Sequence, residues 1–175
     1  EGTLAITKPV INGAAAANKT LTFNGGSVSD GATRTIAWLL DGKPVSGANK
    51  ATFKVPANAG GRTVAVRVSG TAAGYVSADA TSTALAVPAV VRSKPSFSGA
   101  AKVGKKLKAK PGSWYALGYK FTYQWLANGQ VIKGATKATF KVTKKQKGKK
   151  VSVRVTAKKT GFATVNATSG TKKVS

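Results

Sequence analysis

The sequence predicts an all-β chain made of two copies of one sandwich domain, and three observations carry the prediction. The first is a strand, a two-residue turn and a return strand over Phe121-Thr122-Tyr123-Gln124-Trp125-Leu126-Ala127-Asn128-Gly129-Gln130-Val131-Ile132. Phe121, Tyr123 and Trp125 share one face at period 2, and Asn128-Gly129 supplies the two positive-φ residues of a type I′ hairpin. The second is recurrence: Ile36-Ala37-Trp38-Leu39-Leu40, followed by Asp41-Gly42, places a tryptophan 87 positions upstream of Trp125. The third is that valine, at 19 residues against 8 leucines, sits in alternating runs, which concentrates a modest apolar content on sheet faces.

The copies align almost residue for residue. Lys8-Pro9, Gly13 and Leu21 answer Lys94-Pro95, Gly99 and Leu107 at a spacing of 86, and after one extra residue the spacing becomes 87. Ala51-Thr52-Phe53-Lys54-Val55 then answers Ala138-Thr139-Phe140-Lys141-Val142, and Val64-Ala65-Val66-Arg67-Val68 answers Val151-Ser152-Val153-Arg154-Val155. Domains are therefore expected at 1–88 and 89–175, each large enough to bury a core without a staple. The connection over 86–93 is short and holds Pro88, so limited swing is expected. Each copy has about seven short strands with turn signals between them and a tryptophan in the third, the outline of an immunoglobulin-like β-sandwich, here two in tandem. Lettered A, B, C, C′, E, F and G, the second copy's strands fall around Phe97, around Leu107, over Phe121 to Leu126, around Val131, over Ala138 to Val142, over Val151 to Thr156, and in the C-terminal tail.

A set of short motifs recurs on this frame. Pro95-x-x-x-Gly99, Val103-Gly104-Lys105-Lys106-Leu107, Pro111-Gly112-Ser113-Trp114, Tyr123-Gln124-Trp125-Leu126, Lys133-Gly134-Ala135-Thr136, Gly148-Lys149-Lys150-Val151 and Gly161-Phe162 follow one another in the second copy. In this the chain resembles the tandem Ig-like repeat of secreted and wall-associated actinobacterial proteins. The first copy departs from the pattern, with Val28 in place of Trp114 and Ile36 in place of Tyr123. That family is mostly an appended module, so the resemblance implies a fold more than an activity. As a free-standing basic pair of such domains, the chain also resembles the secreted antioxidant radical oxygenases of skin-dwelling actinobacteria. That resemblance implies an antioxidant oxidoreductase and allows haem as a cofactor, its propionates paired with Lys or Arg.

The missing residue types exclude most catalysis. There is no Cys, Met or His, so the usual zinc, iron–sulfur and thiolate sites cannot be built, and a haem iron is left with Tyr, Lys or no axial ligand. A Ser-His-Asp triad is excluded, and paired carboxylates would have to come from Glu1, Asp30, Asp41 and Asp79, the only acids. No serine sits in a nucleophile turn to support a Ser-Lys dyad. No catalytic residue is assigned. No apolar run reaches membrane-spanning length, and the chain reads as a mature or trimmed form of a secreted, extracellular or wall-associated monomer. Absence of the two most easily oxidised side chains also suits an oxidising surface.

Charge is the informative feature. Residues 1–88 hold 8 Lys+Arg against 4 acids, while residues 89–175 hold 21 against none, so one fold carries both +4 and +21. Leu107 on B and Phe140 and Val142 on E point inward, so Lys106, Lys108, Lys137 and Lys141 point outward on neighbouring strands. Lys106 and Lys108 answer Thr20 and Thr22 of the first copy, whereas Lys137 and Lys141 answer Lys50 and Lys54. A second cluster, Lys144, Lys145, Lys147, Lys149 and Lys150 in the E–F loop and the start of F, answers Ala57, Asn58, Gly60, Arg62 and Thr63. These additions have two readings. One is solubility alone; the other is a surface for an anionic ligand such as a wall polymer, a sulfated glycan or haem, with non-specific nucleic acid bound at low salt. Trp114, Tyr115 and Tyr119, in the B–C segment, join the candidate set as aromatics able to stack on a ligand or to pack an edge of the sandwich.

The composition also makes a prediction about metals. With no structural site to empty, EDTA leaves the melting temperature unchanged; a large fall on chelation overturns this.

Overall fold

The computed structural model describes residues 2–29 and 31–175, so the acids Glu1 and Asp30 lie outside the described residues. The chain divides into two compact units, Glu1–Pro88 and Ala89–Ser175. The first holds β1 (Gly2–Thr3), β2 (Val10–Asn12), β3 (Thr20–Asn24), β4 (Thr33–Leu40), β5 (Lys43–Pro44), β6 (Phe53–Lys54), β7 (Thr63–Thr71), β8 (Tyr75–Val76), β9 (Ala78–Thr81) and β10 (Leu85–Ala86). The second holds β11 (Val90–Ser93), β12 (Ser96–Ser98), β13 (Lys106–Lys110), β14 (Ser113–Tyr115), β15 (Lys120–Ala127), β16 (Gln130–Val131), β17 (Thr139–Lys141), β18 (Lys150–Lys158), β19 (Val165–Thr168) and β20 (Lys172–Lys173).

In each unit two sheets face one another. β2, β3 and β6 form one sheet of the first unit and β5, β4, β7 and β10 the other, with β9 also on β7. β12, β13 and β17 repeat the first arrangement, and β16, β15, β18 and β19, with β20 also on β18, repeat the second. These are the A-B-E and C′-C-F-G sheets of an immunoglobulin-like sandwich, and the chain is two such domains in tandem. The sequence outline lacks two small ribbons, β1 with β8 in the first unit and β11 with β14 in the second. Val90–Ser93, read from the sequence as connection, pairs as β11 with β14 and adds a small ribbon to the second unit.

Turn chemistry sets the C–C′ hairpins. Asp41 and Asn128 have φ 51° and 50°, and Gly42 and Gly129 follow at 76° and 79°, as a type I′ turn demands. Each first residue also ties the turn to strand F: Asp41 Oδ1 accepts the Thr63 N–H at 2.9 Å and Asn128 Oδ1 accepts the Lys150 N–H at 2.8 Å.

Each core is built on its tryptophan. Trp38 and Trp125 are fully buried, and each indole N–H donates to the backbone on the way into strand E, to Lys50 O at 2.9 Å and Lys137 O at 3.0 Å. An E-strand ring stacks on each indole, Phe53 at 5.2 Å and Phe140 at 5.4 Å. A second ring meets it edge-on, and its source differs between the copies. In the first it is Phe23 of β3, in the second Phe97 of β12. Ile11 pairs with Phe23 and Phe97 with Ala109, so the ring has moved to the neighbouring strand while keeping its place against the indole. Of the three aromatics expected on one face of strand C, Trp125 is fully buried, Tyr123 is half-buried, and Phe121, at the strand's start, is 37% exposed and packs edge-on against Trp114.

Two buried serines, not legible in the sequence, divide strand G. Val66 and Val153 donate their N–H groups to Ser82 Oγ and Ser169 Oγ, both at 3.0 Å, where the ladder between β9 and β10 and between β19 and β20 is interrupted.

Trp125→Ala therefore lowers unfolding stability by about 3–5 kcal/mol in denaturant titrations, since it opens a cavity and orphans the Lys137 carbonyl. A near-neutral result overturns the placement of strand C.

Candidate anion-binding surface

β13 alternates buried Leu107 and Ala109 with exposed Lys106, Lys108 and Lys110, so its three lysines stand about 7 Å apart on one outer face. Register places Lys106 directly opposite Lys141 on β17 and Lys108 between Ser98 and Thr139. Lys137 extends the row beyond the end of β17, and Lys137, Lys141, Lys133 and Lys145 line an open cavity of about 340 Å³ along its free edge, beside Phe140. The outward placement expected for Lys106, Lys108, Lys137 and Lys141 is what the structure has.

The E–F lysines do not form one patch. A 3₁₀ turn over Lys144–Gln146 is pinned by Gln146, buried, whose Oε1 accepts the Thr143 N–H at 3.1 Å and the Thr143 hydroxyl at 2.7 Å. From this anchor Lys145 turns toward the β17 cavity, while Lys144 and Lys147 join Lys102 around a second recess of about 470 Å³. Lys149 is exposed in the turn that follows, and Lys150 opens β18 directly opposite Lys173 of β20.

Pairing register brings out what sequence reasoning missed. Three cross-strand pairs in the second domain are lysine on lysine: Lys106–Lys141, Lys120–Lys158 and Lys150–Lys173. The same pairs in the first domain are Thr20–Lys54, Thr33–Thr71 and Thr63–Ala86. Like charges directly opposed cost about 0.2–1 kcal/mol a pair, and no acid in residues 89–175 offsets them. The one ion pair among the described residues, Arg62 with Asp41 at 3.8 Å, is in the first domain. Lys120, Lys158 and Lys173 could have been found by marking every position where Lys in one copy faces a neutral residue in the other.

The aromatic candidates are less available than the sequence suggests. Trp114 is half-buried, its Nε1–H donating to Pro111 O at 2.8 Å, and Tyr115 is half-buried with the Arg92 guanidinium 4.7 Å from its ring centre. Tyr119 is 8% exposed, packs against Ala89 and Ala157, and is edge-on to Phe162. Its hydroxyl accepts the Ala89 N–H and donates to Ala163 O, each at 3.2 Å, so it is a structural residue and not a stacking platform. Burial holds its hydroxyl above the ordinary tyrosine value, against the lowering effect of the Ala89 hydrogen bond. A neutral phenol with both hydrogen-bonding roles taken does not fit an iron ligand, and no group of His, Cys, Asp or Glu able to hold a metal occurs among the described residues. Tyr119 therefore does not fit the iron of a haem.

No family model matches the sequence, and no curated protein matches it. Among solved structures the chain is similar to murine CEACAM1b, at 16% identity over 97% of this chain and 98% of that one, with a TM-score of 0.45. It is also similar to the amphioxus IgVJ-C2 molecule, at 14% identity over 95% and 97%, TM-score 0.42. A Ca2+-stabilized adhesin of an Antarctic bacterium that binds ice shares 12% identity over 98% of this chain, TM-score 0.38, and the chain spans about half of that structure's length. No helix among the described residues is long and apolar enough to cross a membrane.

Tyr119 carries a pH prediction. It ionises near 10.0 in the unfolded chain and higher when folded, so its contribution is complete below about pH 10 and is lost as pH rises through the folded value. Tyr119→Phe, which orphans the buried Ala89 N–H, is less stable by about 1–3 kcal/mol at neutral pH. The gap to the native protein narrows above pH 10 in chemical denaturation; a gap constant to pH 11 overturns the assignment.

Proposed function

We propose that this is a secreted, wall-associated or extracellular binding protein whose second domain holds a linear polyanion on the outer face of its A-B-E sheet. The observation that supports it is the Lys106–Lys141 pair, flanked by Lys108, Lys110 and Lys137, on a strand pair whose other copy carries Thr20 opposite Lys54. The fold does not need these charges, and they raise its energy when nothing covers them. Lysines about 7 Å apart along β13 suit an extended chain of phosphodiester or sulfate groups, read by charge and spacing. A sheet face without a reading helix offers nothing to enter a nucleic-acid groove, so binding of a nucleic acid is independent of base sequence.

The test is a salt titration with a single-stranded oligonucleotide as probe. If about six lysines displace condensed counterions, affinity falls on the order of a thousandfold between about 50 and 200 mM salt. Replacing Lys106, Lys108, Lys137 and Lys141 with Thr or Asn flattens that slope. If this variant binds unchanged while neutralising Lys144, Lys145, Lys147, Lys149 and Lys150 abolishes binding, the E–F loop is the site instead. Unchanged binding in both variants assigns the charge to solubility.

A further inference from the structure

The largest cavity described, about 700 Å³, lies on the other sheet of the second domain and shares no residue with the β13–β17 face. Lys120, Thr122, Lys158, Lys159, Thr160 and Thr164 line it. Strand alternation produces the arrangement: Trp125 and Val153 point into the core, so Lys120, Thr122 and Gln124 on β15 and Arg154, Thr156 and Lys158 on β18 project outward. Lys120 faces Lys158 and Thr122 faces Thr156, whose hydroxyl hydrogen-bonds Asn166 Oδ1 at 2.6 Å. Lys159 is fixed at the rim. Its ammonium donates to Leu117 O at 3.1 Å and stands 4.1 Å from the centre of the Phe162 ring.

The first domain shows this face without its charge. There the positions of Lys120 and Lys158 are Thr33 and Thr71, directly paired, and the position of Asn166 is Asp79, opposite Ser69 and two residues along from Arg67 in the register. Asp79 thus puts an acid on this face of the first domain, whereas in the second Arg154 shares the face with two lysines and no acid. Two opposed ammonium groups beside threonine hydroxyls make a concave site rich in donors, without a carboxylate to neutralise it. A single carboxylate ligand would leave one cation of the pair uncompensated; a tetrahedral dianion matches both. The volume leaves room, beyond a bare ion, for an organic body resting on lysine stems and threonine methyls.

We propose that this cavity is a second, separate anion site, for a phosphorylated small molecule, with Lys120 and Lys158 as the residues that bind its tetrahedral group. It does not depend on the polyanion surface of β13 and β17. Phenyl phosphate, phenyl sulfate, inorganic phosphate and acetate serve as probes in a titration of the ¹⁵N-labelled full chain at low salt. Phenyl phosphate is expected to give saturable shifts at Lys120, Thr122, Lys158 and Thr160, with Thr33 and Thr71 of the first domain as unmoved internal controls. Inorganic phosphate binds the same residues more weakly, acetate gives no saturable shift, and phenyl sulfate, a tetrahedral monoanion, binds more weakly than phenyl phosphate; equal affinity for the two overturns the charge match. Exchanging Lys120 and Lys158 for the threonines of the first domain weakens phenyl phosphate at least tenfold. Shifts that do not saturate, or that spread over every exposed lysine, overturn the site, and this outcome requires no variant to fold. Unaltered affinity in a folded Lys120→Thr, Lys158→Thr chain overturns the assigned residues.

Discussion

The indole N–H of Trp125 donating to the Lys137 carbonyl is the contact on which the second domain depends. It fixes the approach to strand E against strand C, and so sets the spacing between the two sheets at the point where Phe140 stacks on the indole. Trp38 and Lys50 do the same in the first domain, within 0.1 Å. Because a buried indole must find an acceptor and an unpaired one is costly, the segment leading into E cannot drift without losing both a hydrogen bond and a ring contact. The lysines at 137 and 141 owe their position to this. Their side chains are presented to solvent by a strand whose backbone is held from inside.

The exchange of the edge-on ring between strands shows what the core requires and what it leaves free. Phe23 on β3 and Phe97 on β12 are not equivalent in sequence, yet each stands at 70–80° to its indole, at 76° and 72°. The constraint is on the space beside the tryptophan, and either member of an adjacent strand pair can fill it. The outer faces are under no such constraint. There the two copies diverge most, Thr33–Thr71 against Lys120–Lys158 being the clearest instance.

Most of the fold was legible because its signals are local and repeated: period-2 alternation, Asn-Gly and Asp-Gly turns, and a tryptophan recurring at one spacing. Ser82 and Ser169 were not, since a serine that replaces a ladder hydrogen bond looks in sequence like any polar residue near a strand end. β11 was missed because Val90-Val91-Arg92-Ser93 owes its pairing to Ser113–Tyr115, twenty or more residues on, and not to its own pattern. On the surface, Lys106, Lys108 and Lys141 could be placed because B and E are neighbours in this fold. Lys120, Lys158 and Lys173 could be marked as additions by comparing the copies but not paired, because which lysine meets which is a matter of register, and register is set by the whole strand pair. Tyr119 shows the converse error: an aromatic in a loop-like segment suggested a platform, and its burial rests on Ala157 and Phe162, which come from the far end of strand F and the turn beyond it.

The serine break in strand G has a consequence for how the molecule behaves in company. With β9 and β19 each four residues long and β10 and β20 two each, the outer strand on that side never offers a continuous row of unpaired donors and acceptors. The opposite side ends in β5 and β16, also two residues each, and β5 contains Pro44, which has no N–H to offer. A foreign strand in search of a template therefore finds only short, interrupted edges, one of them β20, made wholly of lysine. Such edges offer little template for edge-to-edge pairing between copies of the chain.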